Sequence, residues 1–425
     1  MREMKDSGIE WLGEIPAEWK RKKIKNAVAL IGSGTTPAST CLQYYESEDV
    51  NWIQSGDIYG VDTISKTSTL VSNAAVRSLS ALHVYNPDFI VIAMYGGSVG
   101  NIAISKIQAC VNQACCCIQT DSQNDLKFMY YWIYMCKSDF LRVSEGGGQP
   151  NISQSKIKNQ YYMQPPLPEQ RRIADFLDAK CAEIDALTAD IQTQIDTLEQ
   201  YKRSVITEAV TKGLNPDAEM KDSGIQWISK MPSHWEVIRG KYILRYMQKP
   251  VRENDGVITC FRDGEVTLRS NRREDGFTMS DKEIGYQGVD VGDLVVHGMD
   301  GFAGAIGISD SRGKASPVLN VMDTKQNKRY IMYYLRSMAY SDVFVALATG
   351  IRVRSCDLRW NKLADLPYPV PNIEEQTAIV EHIDATLEKT DAVIGEKKSQ
   401  IETLNEYKKS LIYEYVTGKK EVPSI

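Results

Sequence analysis

The sequence predicts an α+β protein: two similar mixed α/β globular units joined by two long coiled-coil helices that pair, with an internal pseudo-two-fold relation. Three observations predict it. The opening Met4-Lys5-Asp6-Ser7-Gly8-Ile9-Glu10-Trp11 returns as Met220-Lys221-Asp222-Ser223-Gly224-Ile225-Gln226-Trp227, and Ile15-Pro16-Ala17-Glu18-Trp19 returns as Met231-Pro232-Ser233-His234-Trp235. Glu169-Gln170, Gln194-Ile195, Tyr201-Lys202 and Val210-Thr211 return as Glu375-Gln376, Gln400-Ile401, Tyr407-Lys408 and Val416-Thr417. Within these second repeats, apolar residues recur every seven positions, which is the spacing of a helical seam.

The first unit covers residues 1–164. Its apolar run Phe89–Ala93 is bounded by turn residues and reads as a buried strand. A central helix follows over 165–213, where Leu177, Ile184, Ile191, Leu198 and Val205 form the seam, with Ile173, Leu187 and Tyr201 on its neighbouring line. Neither Gly nor Pro interrupts 169–212, so about 40 residues at about 1.5 Å each give a rod of roughly 60 Å. The second unit covers 214–370, with the run Leu294, Val295, Val296 answering the first unit's strand. The C-terminal helix covers 371–425, with seam residues Val380, Leu387, Ile394 and Ile401 and a Gly395 expected to soften it. Neither rod can hide its stripe alone, so the two should pair. Pro165, Pro166 and Pro168, and Pro367, Pro369 and Pro371, mark the boundaries before the helices.

Composition narrows the class. With 425 residues, 43% hydrophobic and 25% charged, the chain has enough apolar surface for several ordinary cores, which excludes disordered and fibrous proteins. Its apolar runs are too short to span a bilayer, and 1–25 lacks a signal-peptide core, so a cytoplasmic protein is expected. The nine cysteines include Cys115-Cys116-Cys117. Neighbours on a strand point to opposite faces, so this run reads as buried thiols and not as a metal site. The net charge of −5 is unevenly spread: 1–164 hold 15 basic and 15 acidic residues, 221–370 hold 22 and 18, while 165–220 hold 6 and 11 and 371–425 hold 7 and 11. The acidity sits in the rods, leaving the globular units neutral to basic.

No motif points to catalysis. Asn86-Pro87-Asp88-Phe89 resembles a methyltransferase tetrapeptide, but the second unit has Asp290-Val291-Gly292-Asp293-Leu294 at that place, so the Asp opens a strand. Gly96-Gly97-Ser98-Val99-Gly100 resembles a phosphate-cradling loop, yet a β-like segment follows where a helix is required, and a strand-end turn is the better reading. His83, His234, His297 and His382 are scattered without ligand partners, so no metal site is expected. Two basic groups stand out: Lys20-Arg21-Lys22-Lys23-Ile24-Lys25, and the arginines 262, 269, 272 and 273, with 352 and 354 further on.

The paired Asp-Ser-Gly-Ile-x-Trp and Pro-x-x-Trp openings, Gly32-Ser33-Gly34-Thr35-Thr36-Pro37, Trp52-Ile53-Gln54-Ser55-Gly56-Asp57-Ile58, and Pro165-Pro166-Leu167-Pro168-Glu169-Gln170 resemble the specificity subunits of type I restriction-modification enzymes over essentially the whole chain. Ile373-Glu374-Glu375-Gln376 departs from the Leu-Pro-Glu-Gln form. The resemblance implies a non-catalytic subunit whose two target-recognition domains each read half of a bipartite double-stranded DNA site. It implies two long antiparallel coiled-coil helices that set the spacer and dock methyltransferase subunits, two in number, which carry S-adenosylmethionine, and a motor endonuclease subunit in the full complex. This chain itself would need no cofactor. Polar groups near turns are then the DNA-binding candidates: Thr35, Thr36, Gln54, Lys66, Tyr95, Gln149 and Asn151 in the first unit, and Arg269, Arg272, Arg273, His297, Arg352 and Arg354 in the second. The competing class is a coiled-coil adaptor holding two protein-binding modules without DNA.

Overall fold

The computed structural model describes residues 2–142, 151–272, 284–347 and 358–423. They form two compact units, Met1–Asp190 with Gln400–Ile425, and Ile191–Ser399. The division falls inside both long helices, so each unit consists of one globule and a portion of each helix.

The first unit opens with the hairpin β1 (Met4–Asp6) and β2 (Glu14–Pro16), then β3 (Lys20–Lys23), β4 (Val28–Ser33), β5 (Val50–Ile53), β6 (Thr63–Ile64), β7 (Leu70–Val71) and α1 (Asn73–Ser78). After these come β8 (Phe89–Ala93), β9 (Ile102–Ser105), β10 (Ala109–Val111), β11 (Cys115–Thr120), α2 (Leu126–Met135), α3 (Lys137–Arg142), α4 (Gln154–Asn159), β12 (Tyr161–Gln164) and α5 (Leu167–Lys212). A five-stranded sheet in the order β4-β11-β8-β9-β6 meets a three-stranded sheet β10-β5-β7. The cysteine run illustrates the two-sided burial of β11. Cys116 faces a core with Trp19, Phe128 and Trp132, while Cys115 and Cys117 face a second core with Ile53 and Val91. Burial pushes the Cys115 and Cys116 thiols up to about 12, leaving them unreactive.

The second unit repeats this plan with β13 (Met220–Ile225), β14 (Ile228–Pro232), β15 (Glu236–Arg239), α6 (Gly240–Ile243), β16 (Leu244–Tyr246), β17 (Ile258–Cys260), β18 (Val266–Leu268), β19 (Gln287–Val289) and β20 (Leu294–His297). It continues through β21 (Ile306–Ile308), β22 (Gly313–Ala315), β23 (Leu319–Thr324), α7 (Lys328–Tyr340), α8 (Val343–Ala346), α9 (Trp360–Asp365), β24 (Pro367–Val370) and α10 (Ile373–Val416). Its sheet runs β16-β23-β20-β21, with α7 in the core beside Trp235. Pro367 and Pro369 are not merely boundary markers: they lie within β24, which among the described residues pairs only with β15. An edge strand tolerates the missing donors.

The repeated dipeptides tie each globule to its own helix. Trp19 Nε1 donates to Glu169 Oε2 at 3.1 Å, and Trp235 Nε1 donates to Glu375 Oε1 at 3.0 Å. Gln170 accepts from the backbone N of Asp125 and donates to Pro165 O, while Gln376 accepts from Asn327 N and donates to Pro371 O. Asp125 and Asn327 are themselves the N-caps of α2 and α7, so one buried amide fixes a helix start and a helix entry together. Further along, Tyr131 and Lys127 bond Asp178, as Tyr333 and Arg329 bond Asp384. Gly213 and Gly418 end α5 and α10 with φ of 74° and 70°, and a Cβ on Gly418 would sit 2.5 Å from Pro16. Glycine is required there both by conformation and by space.

The long helices pair antiparallel inside each unit. In the first, Lys408 Nζ meets Asp185 at 2.7 Å and Phe176 packs on Tyr415 at 4.5 Å between centroids. In the second, Lys202 Nζ meets Asp391 at 2.5 Å, the repeat of the Lys408 pair. Leu177, Ile184, Ile191, Val380 and Ile394 are buried, whereas Leu198, Val205, Leu387 and Ile401 are half-buried. Two residues of the expected neighbouring line depart: Leu187 is 48% and Tyr201 51% exposed. Cys181 and Ile195 take that line, because it lies four residues from the first and not three. Near the end of α5, Ile206 and Val210 are buried where the strict heptad named Val205, the drift expected of 3.6 residues per turn against 3.5. α10 runs unbroken through Gly395.

Candidate nucleic-acid interface

Strand direction brings several loops to one edge of the first unit. β4, β5, β8 and β10 end there, and β9 and β11 begin there. Backbone bonds knit the loops: Gly34 N to Asn112 O at 3.3 Å, Asn112 N to Ile53 O at 3.0 Å, Met94 N to Ala114 O at 2.7 Å and Ile152 N to Met94 O at 2.7 Å. Thr35, Thr36, Gln54, Tyr95 and Asn151 therefore share this edge. Thr36 is exposed and donates to Gln113 Oε1. Gln54 is half-buried and donates to Thr69 Oγ1 at 3.0 Å. Tyr95 is partly packed against the core. Lys66 is exposed in the link from β6 to β7, and its neighbour Ser68 bonds Asp57. Gln149 lies outside the described residues, as do Arg273, Arg352 and Arg354.

The corresponding edge of the second unit is organised by charge. His297 ends β20, and its Nδ1 accepts from Asp300 N at 2.9 Å and Met299 N at 3.2 Å. An imidazole that accepts at Nδ1 is neutral, and burial holds its pKa below the ordinary histidine value. Arg269 Nε donates to Thr259 Oγ1 at 3.3 Å across the β17–β18 hairpin. Arg272 folds over the same hairpin, bonding Asp263 at 2.7 Å and Glu265 at 2.9 Å with its guanidinium 4.1 Å from the Phe261 ring centroid. Arg262 reaches the β20–β21 turn and donates to Asp300 Oδ1 at 2.9 Å. At the opposite end of β20, which Asp290 and Asp293 precede, Arg312 grips Asp255 through Nε and Nη2 at 3.0 and 2.8 Å and also bonds Asp290, while Lys249 bonds Asp290 and Asp293. Lys249 and Arg312 hold the Asp290 carboxyl down at about 2.

The first edge presents amides and hydroxyls, groups that match the donor and acceptor patterns of base edges. Asn101 and Gln113 belong to these edges and were not singled out in the sequence, where Arg262 stood out as part of a basic group and not as a DNA-binding candidate. The Asn112-Gln113 pair between two apolar runs is a turn signal, and only the strand order shows where that turn lies. Gly96 and Gly100 adopt φ of 85° and 76° in the strand-end turn between β8 and β9. Among the described residues, no group of three or more His, Cys, Asp or Glu is arranged to hold a metal ion, and no helix is long and apolar enough to cross a membrane.

Two like-built globules, each tied to its own portions of the two long helices and each ending in a polar loop edge, define a repeat-built protein. Residues 16–197 match the family model described as the type I restriction modification DNA specificity domain. The chain is 22% identical to the MjaVIII specificity subunit of Methanocaldococcus jannaschii, covering 97% of this chain and 95% of that protein, and 20% identical to the StySPI specificity subunit of Salmonella potsdam, covering 96% and 90%. A chain from a solved structure of type I restriction-modification assembly and conformational transition superposes with a TM-score of 0.66 at 14% identity, covering 96% and 99%, which shows the shared fold. Residues 16–197 thus match the type I DNA specificity domain, and over nearly its whole length the chain is similar to proteins named as type I specificity subunits.

Proposed function

We propose that this subunit reads a bipartite double-stranded DNA sequence, one half-site per globular unit, with residues 1–164 and 214–370 as the two target-recognition domains. The observation that carries this reading is the pair of equivalent sheet edges with different side chains, one amide-rich and one built of ion pairs. A shared fold with divergent loops suits two different half-sites read in the same way. The helices of 165–213 and 371–425, with their acidic excess, repel phosphates and set the spacer between half-sites. They also dock methyltransferase subunits. Leu187 and Val393, and Tyr201 and Tyr407, are repeat-related and exposed by 48%, 40%, 51% and 55%. An apolar pair kept twice at the same heptad position suits two copies of one partner.

On this reading S-adenosylmethionine binds the methyltransferase partners, a motor endonuclease joins for restriction, and the assembly works in the cytoplasm. The test is to co-express the chain with its methyltransferase and map methylated adenines. A bipartite site is expected, together with a salt-dependent DNA shift, and the adaptor reading expects neither. Exchanging 221–370 for the matching segment of a related subunit should change one half-site and leave the other; loss or change of both would refute the two-reader arrangement.

A further inference from the structure

Beside the glycine turn of the first unit lies a cation with no carboxylate partner among the described residues. Lys137, at the start of α3, donates from Nζ to Asn101 Oδ1 at 3.0 Å. Asn101 closes the turn through its backbone N to Ser98 O at 2.9 Å. A side chain added at Gly96 or Gly97 would meet nothing within 4 Å, so this turn is open on its outer side. The Lys137 side chain is half-buried. Burial, and after it the charge of Lys409, push its ammonium pKa below the ordinary lysine value, and Lys409 has its own carboxylate in Glu406 at 2.7 Å.

An ammonium drawn partly out of water, next to a second cation and bonded to a neutral amide, is unfavourable unless an anion completes the site. The repeat supplies an internal control. Counting from the N-caps Asp125 and Asn327, by which Lys127 matches Arg329 and Tyr131 matches Tyr333, the place of Lys137 falls to Ala339, which is buried. In that unit the equivalent turn already holds its own ion pair, Arg262 with Asp300. The fold thus does without a lysine there.

We infer that Lys137, oriented by Asn101, anchors a backbone phosphodiester of DNA at the loop edge of the first unit, a contact that the second unit does not repeat. The inference rests on the DNA-recognition reading above. A contact of this kind positions the duplex and carries no base preference.

The experiment uses the chain assembled with its methyltransferase and measures affinity by fluorescence anisotropy over a salt series, for a duplex with the mapped site and one without it. Lys137→Ala should lower the slope of log affinity against log salt by about 0.9, so that the wild-type advantage shrinks about three- to fourfold between 50 and 200 mM salt. Both duplexes should lose affinity by the same factor, the methylated sequence should stay unchanged, and Lys137→Arg should restore the slope. Lys137→Gln, which keeps a polar stem, should behave as the alanine variant does. An unchanged slope, or a loss confined to the specific duplex, would overturn the anchor. So would weaker co-purification of the methyltransferase with the slope intact, which would assign the missing anion to a partner carboxylate. If the wild-type complex shows no preference between the duplexes, the DNA-recognition reading itself fails.

Discussion

The two globular units agree where they meet the helices and differ where their strands end. At the helices, Trp19 and Glu169, Gln170 and Asp125, and Tyr131 and Asp178 are answered by Trp235 and Glu375, Gln376 and Asn327, and Tyr333 and Asp384. At the loop edges, the first unit offers Thr36 with Gln113 and Lys137 with Asn101, whereas the second closes on Arg262 with Asp300 and on Arg272 with Asp263 and Glu265. Attachment to the helices and the make-up of the loop edge are therefore specified by separate residues. That separation lets the loop edge vary while the scaffold stays fixed.

The comparison is tested most strongly at the tryptophans. Trp19 and Trp235 are fully buried, and Trp19→Ala or Trp235→Ala should each cost about 3–5 kcal/mol. Hydrogen exchange should show the opening confined to the unit that carries the change. Equal loss of protection in both units would mean that they are not independently held.

Arg312→Ala comes next, with an expected cost of about 2–3 kcal/mol, because it strands Asp255, whose side chain is 5% exposed, while Asp290 stays in contact with water. The same pairing sets an acid limit. Asp290 titrates at about 2 when folded, and Asp255 is likewise lowered by Arg312. Their contribution is complete above the unfolded carboxylate range near pH 4 and is lost as the pH falls towards 2. Urea unfolding followed between pH 5 and 2 should show this loss in the wild type and less of it in Arg312→Ala.

Arg272→Ala sharpens the comparison at smaller cost. With its guanidinium occupied by Asp263, Glu265 and Phe261, the expected loss is about 0.5–1 kcal/mol of stability, with the methylated sequence unchanged. Relaxed base choice at one half-site would show instead that Arg272 leaves the hairpin to read DNA. The smallest effect belongs to His297. Its folded pKa is lowered, so its contribution is present above the unfolded value near 6.5 and declines as the pH falls through the folded one. The melting temperature of His297→Gln should lose less than that of the wild type between pH 7 and 5, and parallel curves would remove the histidine from the turn's energetics.

The sequence by itself determined the repeat, the two helices and the existence of their seam, because periodicity and self-similarity are local properties written every few residues. It also determined the two-faced burial of Cys115, Cys116 and Cys117, which follows from strand alternation alone. The roles of Glu169-Gln170 and Glu375-Gln376 were visible only as a repeated pair; the bonds that tie them to the globules reach 45 to 150 residues along the chain. Leu187 and Tyr201 read as seam residues because three- and four-residue steps look alike in a sequence, and only the partner helix decides which line is covered. The loop edges were decided by tertiary structure altogether. Thr36 meets Gln113, and Lys137 meets Asn101, through strand order and crossovers, and no local pattern encodes which loops a sheet will carry to the same end.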